Sequence, residues 1–170
     1  MAARDPDELL TDRLSGWRPD ETGTLMFVRR GDEVLLIRKK RGHGAGKING
    51  PGGKIDPGET PLESACRETR EETGISPLEA VQLGEFRFVA LDGPQWLGHV
   101  FLARHFSGTP RETDEAVPFW CPVSALPFAE MWEDDRIWLP RLLEGERLSG
   151  DFLFDGERLL THRLTHHPAT

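Results

Sequence analysis

Three glutamates, Glu68, Glu71 and Glu72, have the three- and four-residue spacing that places side chains on one face of an α-helix. Like charges at this spacing repel by about 0.2–0.5 kcal/mol per pair. A cation can offset that repulsion, and Mg²⁺ takes carboxylate oxygens while keeping waters and substrate phosphates as its other ligands. The alternative is a solvated acidic helix in which Arg67 and Arg70 form surface ion pairs. The spacing alone leaves both interpretations open.

The helix that carries these glutamates has recognisable ends. Thr60 is a suitable N-cap, Pro61 fits the first helical position, and Glu63 completes a Thr-x-x-Glu capping box. Gly74 stands where a left-handed C-terminal cap belongs. We therefore predict a helix between these caps. The residues expected on its packing face are Leu62, Ala65, Cys66, Thr69 and Thr73.

The loop before this helix completes a longer pattern, Gly-x5-Glu-x7-Arg-Glu-U-x-Glu-Glu-x-Gly-U, where U is a bulky aliphatic residue. Its fixed positions are filled by Gly53, Glu59, Arg67, Glu68, Glu71, Glu72, Gly74 and Ile75. This pattern is the Nudix box, and by it the chain is identified as a member of the Nudix hydrolases. Thr69 stands at the first U, so we expect a less firmly anchored helix with unchanged chemistry.

Length, composition and charge restrict the class of protein. The 170 residues, 37% hydrophobic and 29% charged, indicate one globular domain with an ordinary core. The net charge of −8 argues against a nucleic-acid polymer or an anionic membrane as partner. A polyanionic small substrate then requires local Lys, Arg or metal charge. Two cysteines, Cys66 and Cys121, favour free thiols in a reducing cytoplasm. No obligate protein partner is implied.

The chain divides into a polar leader, residues 1–22, and one domain, residues 23–166. The leader has acidic residues, no apolar stretch of a signal peptide, and one expected helical turn at 7–14, with Trp17 docking it. The domain holds a hairpin around Gly31-Asp32 and a second helix from Asp134 or Asp135 to Leu143, bent by Pro140. The predicted strands are 24–30, 33–40, 81–90, 96–106, 117–123, 151–154 and 158–164. This order, together with the resemblance, implies an α/β Nudix fold: an α/β/α sandwich with a mixed β-sheet.

Two segments outside the box, 41–54 and 127–140, resemble the animal MutT homologues that hydrolyse 8-oxo-dGTP and 2-hydroxy-dATP. The resemblance implies that Asn49, Asp134 and Asp135 hydrogen-bond the base edge and that Trp132 walls the base pocket. Adjacent aspartates can also share protonation states, so that one donates while the other accepts. Taken singly, the aspartates would be a helix cap and Trp132 a core aromatic. Further expected substrate contacts are Thr24, Lys39, Pro51, Gly52, Gly53, Lys54 and Glu133.

The same resemblance implies a metal site and a reaction. Mg²⁺, with Mn²⁺ as a substitute, would be held by the Gly52 carbonyl and by Glu68, Glu71, Glu72 and Glu115. Water would attack a phosphorus of a nucleoside triphosphate, giving the monophosphate and pyrophosphate, with one of these glutamates taking the proton. Arg67 completes the catalytic set by orienting a glutamate, and Glu59 is expected to stabilise the loop.

The loop also departs from the subfamily, which leaves alternatives open. His43, Ile48 and Pro51 stand where the animal enzymes have phenylalanine, tryptophan and phenylalanine. The base preference could therefore have shifted to CTP or dCTP, or the substrate to ADP-ribose or a sugar nucleotide. A non-catalytic domain that senses nucleotides is disfavoured, because all the box glutamates are present. With the expected activity, the protein would remove oxidised nucleotides from the precursor pool before DNA synthesis.

Overall fold

Runs of consecutive buried residues in the central strands, such as 26–28 and 34–37, show that the sheet is covered on both faces. The computed structural model describes residues 3–168. Its helices are α1 (Pro6–Leu14), α2 (Pro61–Thr73) and α3 (Asp135–Leu143). Its strands are β1 (Glu21–Arg30), β2 (Glu33–Lys39), β3 (Ile48–Asn49), β4 (Gly52–Lys54), β5 (Ser76–Leu78), β6 (Val81–Ala90), β7 (Trp96–Ala103), β8 (His105–Ser107), β9 (Ala116–Pro122), β10 (Arg147–Asp155) and β11 (Arg158–His167).

The main sheet is mixed. Its strands follow the order β11-β10-β6-β7-β1-β2-β3, with β4 pairing β1 and β9 pairing β2. β1 runs parallel to β7, and β10 runs parallel to β6, while the other pairs in this sheet are antiparallel. β5 and β8 form a separate antiparallel pair. The parallel β1–β7 pair brings the start of β1 beside the start of β7, where Glu21 is in register with Trp96.

Successive residues of β1 point to opposite faces of the sheet. Phe27 belongs to a core cluster with Trp138, Leu139 and Leu142 of α3, and Met26 belongs to a second cluster with Ala65 of α2. A third, smaller cluster joins residues of α1, β6 and β10. Helices therefore cover both faces of the mixed sheet, which confirms the predicted α/β/α sandwich.

Both predicted ends of α2 are confirmed. Thr60 and Glu63 form the reciprocal capping box, and Gly74 adopts the left-handed conformation with φ of 81°. Thr69 is fully buried and donates its hydroxyl to the Ala65 carbonyl at 2.7 Å, so the hydroxyl is not left unsatisfied. The prediction for Leu62 was wrong. It is 42% exposed in the first turn.

The leader segment is folded against the sheet. Leu10 of α1 is fully buried beside Val89 of β6 and Leu153 of β10. The Trp17 indole donates to the Gln95 side-chain oxygen at 2.8 Å, and the same oxygen accepts from the Ala90 backbone N–H at 2.9 Å. Gln95 therefore ties the leader to the turn between β6 and β7.

The long predicted strands and α3 are present with ends shifted by a few residues, and the expected helical turn in the leader is α1. Pro140 lies inside α3, as expected. The very short strands β3, β4, β5 and β8 were not predicted as separate elements. In residues 3–168, no helix has both the length and the apolar composition required to cross a membrane.

Candidate active site

A cavity of about 620 Å³ opens between the start of β1, the Gly-rich loop and the N-terminus of α3. This volume suits a small-molecule ligand such as a nucleotide. Nine of the residues predicted to contact substrate line it: Thr24, Lys39, Asn49, Gly52, Gly53, Lys54, Trp132, Asp134 and Asp135. Gly23 and Glu157, 134 positions apart in the chain, thus line the same cavity, as the sheet order requires.

One end of the site is a carboxylate cluster. Glu68, Glu72 and Glu115 each offer an oxygen, and these oxygens lie within 4.8 Å of one another. Glu68 and Glu72 are one turn apart on α2, and Glu115 comes from the segment before β9. Three hard oxygen donors in this space suit a hard divalent cation with room for water or phosphate.

Thr113 is the residue that brings Glu115 to the helix. Its hydroxyl donates to the Glu72 carbonyl at 3.0 Å and accepts from the backbone N–H groups of Glu115 and Ala116 at 3.3 and 3.2 Å. The Lys40 N–H donates to the Glu115 carbonyl at 2.9 Å. The position of Glu115 is therefore fixed by contacts to both α2 and the end of β2.

Glu72 is the most deeply buried member of the cluster, at 3% exposure. Burial, and then the neighbouring carboxylate of Glu68, raise the pKa of Glu72 to about 9. Burial also raises the pKa of Glu68, although its contacts with Glu72 and Arg67 oppose the rise. Two carboxyls this close favour the retention of a proton, so this donor set fits a divalent ion that would take the place of that proton.

Arg67 orders the acidic side chains around the cluster. Its Nε and Nη2 donate to the two Glu59 oxygens at 2.7 and 3.0 Å, and its Nη1 donates to Glu68 at 3.0 Å and Glu71 at 3.1 Å. Glu59 in turn accepts from the Asp56 N–H at 2.9 Å. Glu71 lies outside the set of carboxylates that share the 4.8 Å space, with its side chain 50% exposed beside Arg67.

Glycines bring the β4 backbone against the cluster. A Cβ at Gly53 would lie 2.7 Å from the Glu68 carboxylate carbon, and one at Gly52 would lie 1.8 Å from the Thr24 carbonyl oxygen. Neither position can accept a side chain without moving its neighbours. This backbone therefore lies between the carboxylates and the cavity, with Lys39 and Lys54 as cations on the cavity wall.

The other end of the site holds two buried aspartates at the start of α3. Asp134 accepts from the Trp138 indole N–H at 2.7 Å, while Oδ2 of Asp135 is buried with no hydrogen-bond partner in the described residues. Burial raises the pKa of Asp134 to about 6, even though the Trp138 N–H stabilises its anion. Burial, and then the charge of Asp134, raise the pKa of Asp135 well above its ordinary value. Both carboxyls therefore hold a proton more strongly than a free aspartate does.

Three aromatic rings stack beside these aspartates. The His43 ring lies 5.1 Å from the Trp132 ring and 5.8 Å from the Trp96 ring, with interplanar angles of 17° and 23°. The Lys47 ammonium lies 4.9 Å from the Trp132 ring centroid, and Phe154 meets Trp132 edge-on. Burial, and then the charge of Lys39, lower the pKa of His43, so its imidazole is neutral at pH 7.

Two residues predicted to contact substrate do not line the cavity. Pro51 is buried, and its carbonyl accepts from the Met26 N–H at 2.8 Å. Glu133 accepts from the Leu159 N–H at 2.6 Å and so secures the start of β11. In this arrangement each stabilises the walls rather than facing the cavity.

Part of the cavity wall beside the two aspartates was not predicted from the sequence. Trp96, Gly98 and Val100 all line the cavity from β7. Their two-residue spacing is that of one strand face, and the small Gly98 leaves open space between two larger residues. The strand was predicted, but the position of its first residue, Trp96, in the cavity wall was not.

The box motif, the carboxylate cluster and the mixed sheet define a class, and family comparison agrees. The NUDIX domain model matches residues 19–142, and the chain belongs to the Nudix family. Among curated proteins it is similar to the oxidized purine nucleoside triphosphate hydrolase of Mus musculus, with 41% identity over 143 residues, 83% of this chain and 92% of the relative. The Danio rerio protein of the same name is 39% identical over the same shares.

A solved structure supports the fold. The mutator MutT protein from Bacillus halodurans superimposes with a TM-score of 0.76 at 30% identity, over 85% of this chain and 97% of that chain. The Nudix membership and fold predicted from the sequence are thereby confirmed.

Proposed function

We propose that this chain is a Nudix hydrolase that cleaves oxidised purine nucleoside triphosphates, such as 8-oxo-dGTP and 2-hydroxy-dATP, to the monophosphate and pyrophosphate. The observation that carries the proposal is one cavity with a carboxylate cluster near one end and the Asp134–Asp135 pair with Trp132 at the other. A nucleoside triphosphate has matching ends, namely a polyphosphate that takes a divalent cation and a flat base with a polar edge. The relatives from mouse and zebrafish carry the corresponding name.

At the phosphate end, the residues that would hold the cation are Glu68, Glu72 and Glu115, with the Gly52 carbonyl and Glu71 as further ligands. When bound, Mg²⁺ or Mn²⁺ supplies charge neutralisation at the phosphate oxygens and lowers the pKa of the attacking water. Arg67 holds Glu68 and Glu71 in place by charge-assisted hydrogen bonds. One of the four glutamates takes the proton of the water, and Lys39 and Lys54 attract the polyphosphate despite the net charge of −8.

At the base end, protonated Asp135 donates to the base edge and ionised Asp134 accepts from it, with Asn49 adding a side-chain amide. Asp135 Oδ2 is buried, lacks a partner in residues 3–168 and belongs to a cavity-lining residue. A buried polar atom of this kind costs about 1–3 kcal/mol unless something binds it. A base that supplies both an acceptor and a donor is therefore preferred to one that leaves either aspartate unpaired.

The proposal requires no protein partner, because all the residues of this site belong to one chain. We place the activity in the cytoplasm, where nucleotide precursors are available for DNA synthesis, and the free thiols Cys66 and Cys121 suit a reducing compartment. Its biological effect would be to remove oxidised precursors from the nucleotide pool.

The test is pyrophosphate release with Mg²⁺, comparing kcat/KM for 8-oxo-dGTP, 2-hydroxy-dATP, dGTP, dCTP and ADP-ribose. A preference of about 100-fold or more for an oxidised purine over dCTP is expected from the polar base contacts. Glu85→Gln, an exposed position on β6, serves as a matched control for substitutions in the carboxylate cluster. dCTP or ADP-ribose as best substrate would contradict the proposed base recognition, and nucleotide binding without turnover would contradict hydrolysis.

A further inference from the structure

His43 makes the type of contact that a nucleobase would make. Its ring stacks nearly parallel on two indoles, Trp132 at 5.1 Å and Trp96 at 5.8 Å. Stacking on aromatic side chains is a principal way in which proteins hold bases, and Trp132 and Trp96 both line the cavity. One face of each indole is therefore already covered by a side chain of the protein itself.

The His43 ring is held by stacking alone. Within residues 3–168, His43 takes part in a hydrogen bond only through its backbone carbonyl, which accepts from the Lys39 ammonium at 2.7 Å. The ring nitrogens have no hydrogen bond there, so moving the ring breaks none. Its removal costs the aromatic contacts but no hydrogen bond of the ring.

The loop around His43 has the backbone freedom that such a movement requires. Gly42, Gly44 and Gly46 all have positive φ, at 82°, 79° and 89°, and the two nearest flank His43 directly. Glycine passes through such conformations with little steric cost. Rotation at these neighbours would let the histidine leave its position while the Gly46 N–H stays bonded to the Lys39 carbonyl at 2.8 Å. The bonds at stake are those from the Ala45 N–H to the Gly42 carbonyl, at 3.1 Å, and from the Lys47 N–H to the Gly44 carbonyl, at 2.9 Å.

We propose that His43 competes with the substrate base for the stacking surfaces of Trp132 and Trp96, and that Trp96 is the second stacking wall of the base pocket. The base must displace the imidazole, so His43 sets the affinity of the pocket for every base. The inference rests on the proposed function only for the choice of base, since displacement by any stacked ring follows the same geometry.

Lys39 connects this displacement to the phosphates. Its ammonium both lines the cavity and secures the carbonyl of His43. A polyphosphate that draws the ammonium away would release the carbonyl of His43, so phosphate binding helps to clear the base position. A nucleoside without phosphates lacks this contribution.

The direct test is the NMR spectrum of the His43 ring. Two stacked indoles shift the imidazole protons upfield by their ring currents, and displacement returns them towards their usual positions. We expect this return on titration with 8-oxo-dGMP, a product that is not hydrolysed, with resonances assigned by the spectrum of His43→Ala. Unchanged His43 resonances at saturating nucleotide would overturn the proposal.

The second test compares dissociation constants by calorimetry. His43→Ala should lower the Kd of 8-oxo-dGMP roughly tenfold, because no ring has to be displaced, and Trp96→Leu should raise it roughly tenfold. The Kd of inorganic pyrophosphate, which has no base, should stay unchanged in His43→Ala. The matched control is His105→Ala, an exposed histidine on β8.

The opposite outcomes are equally informative. If His43→Ala binds the nucleotide more weakly or with unaltered Kd, His43 is a wall of the pocket or a bystander, and the competition is refuted. If wild-type protein binds dCMP but not 8-oxo-dGMP, the proposed function fails instead. The same pair of variants then judges the His43 inference with dCMP as the probe.

Discussion

Glu68 and Glu72, behind the backbone of Gly53, and Asp134 and Asp135, in the cavity wall, are both pairs of crowded, largely buried acids, yet their surroundings differ. The glutamates are joined by Glu115 within 4.8 Å and flanked by Arg67. The aspartates have an indole N–H on one side, and one buried oxygen has no partner in the described residues. The first arrangement suits a cation, whereas the second suits a retained proton.

Burial alone therefore does not determine whether a carboxyl group binds a metal ion or retains a proton. Burial raises the pKa of Glu72 and of Asp134 alike. What separates them is the number of further carboxylates within reach, which decides whether a metal or a proton neutralises the pair more effectively. Substitutions that remove a charge but keep the shape should therefore affect the two ends differently.

The largest effect is expected from Glu72→Gln. The amide cannot take the place of an anionic ligand, so kcat should fall by roughly 10³-fold or more, while Kd for the nucleoside monophosphate stays within about twofold. The measurement is steady-state pyrophosphate release beside calorimetric binding, with Glu85→Gln as control. A variant that keeps a tenth of the activity would show that Glu72 is not needed at the phosphate end.

Asp135→Asn should act on the other end. The amide cannot follow the proton exchange of the acid pair, so kcat/KM for 8-oxo-dGTP should fall by about 100-fold. Mg²⁺ affinity, measured by calorimetry, should remain that of the wild type. Equal loss for oxidised and ordinary substrates would break the comparison, because it would assign Asp135 to folding or chemistry rather than to base selection.

Arg67→Lys tests the ordering of the cluster. A lysine keeps the charge but cannot make the forked contacts to Glu59, Glu68 and Glu71, so kcat should fall by about 10–100-fold. Base binding at the distant end should be unaltered, as measured by the Kd of the monophosphate. A change in that Kd with unaltered kcat would contradict the separation of the two ends.

The pH dependence of stability sharpens the contrast. The pKa of Glu72 rises from 4.5 to about 9 on folding, so the folded protein binds the extra proton and loses stability as pH rises through that interval. With a chelator present, the free energy of unfolding should fall by up to about 1.4 kcal/mol per pH unit there. Denaturant melts at several pH values measure it. Glu72→Gln should flatten the curve, and an unchanged slope in that variant would refute the assignment.

The smallest effect is expected from Trp17→Phe, which removes the indole N–H that donates to Gln95. Loss of one partly buried hydrogen bond is worth about 1 kcal/mol, and Gln95 precedes Trp96 in the chain. KM should rise about two- to fivefold with constant kcat. Trp120→Phe, at a tryptophan that packs against Arg30, is the control.

Sequence was sufficient to predict the α2 part of the carboxylate cluster because its contacts are local. The glutamates of α2, its caps and the Arg67–Glu59 contact lie within one loop and helix, where spacing determines proximity. The base end depends on the sheet. Trp96 reaches His43 only because β1 and β7 run parallel, which brings β7 beside the Gly-rich loop.

The burial of individual helix residues and the position of Glu115 depend on tertiary contacts that sequence spacing does not reveal. Leu62 has the periodicity of a packing residue but is exposed. Ser64, two positions later, is fully buried, and its hydroxyl donates to the Lys54 carbonyl. Glu115 required the Thr113 contact to be placed. The roles of these residues in catalysis remain predictions that the substitutions above address.

The Gln95 contact also constrains how this protein can be recombined with its relatives. Its side chain bonds both Trp17 and Ala90, and its backbone N–H donates to Asp20 at 2.7 Å. A chimaera that takes the turn at 91–95 from another parent, while keeping the native leader, would lose the bonds of the Gln95 side chain to Trp17 and Ala90. The leader and the turn at 91–95 therefore form one block that should come from the same parent. Gene shuffling should recover clones with the wild-type KM more often when crossovers leave the block intact.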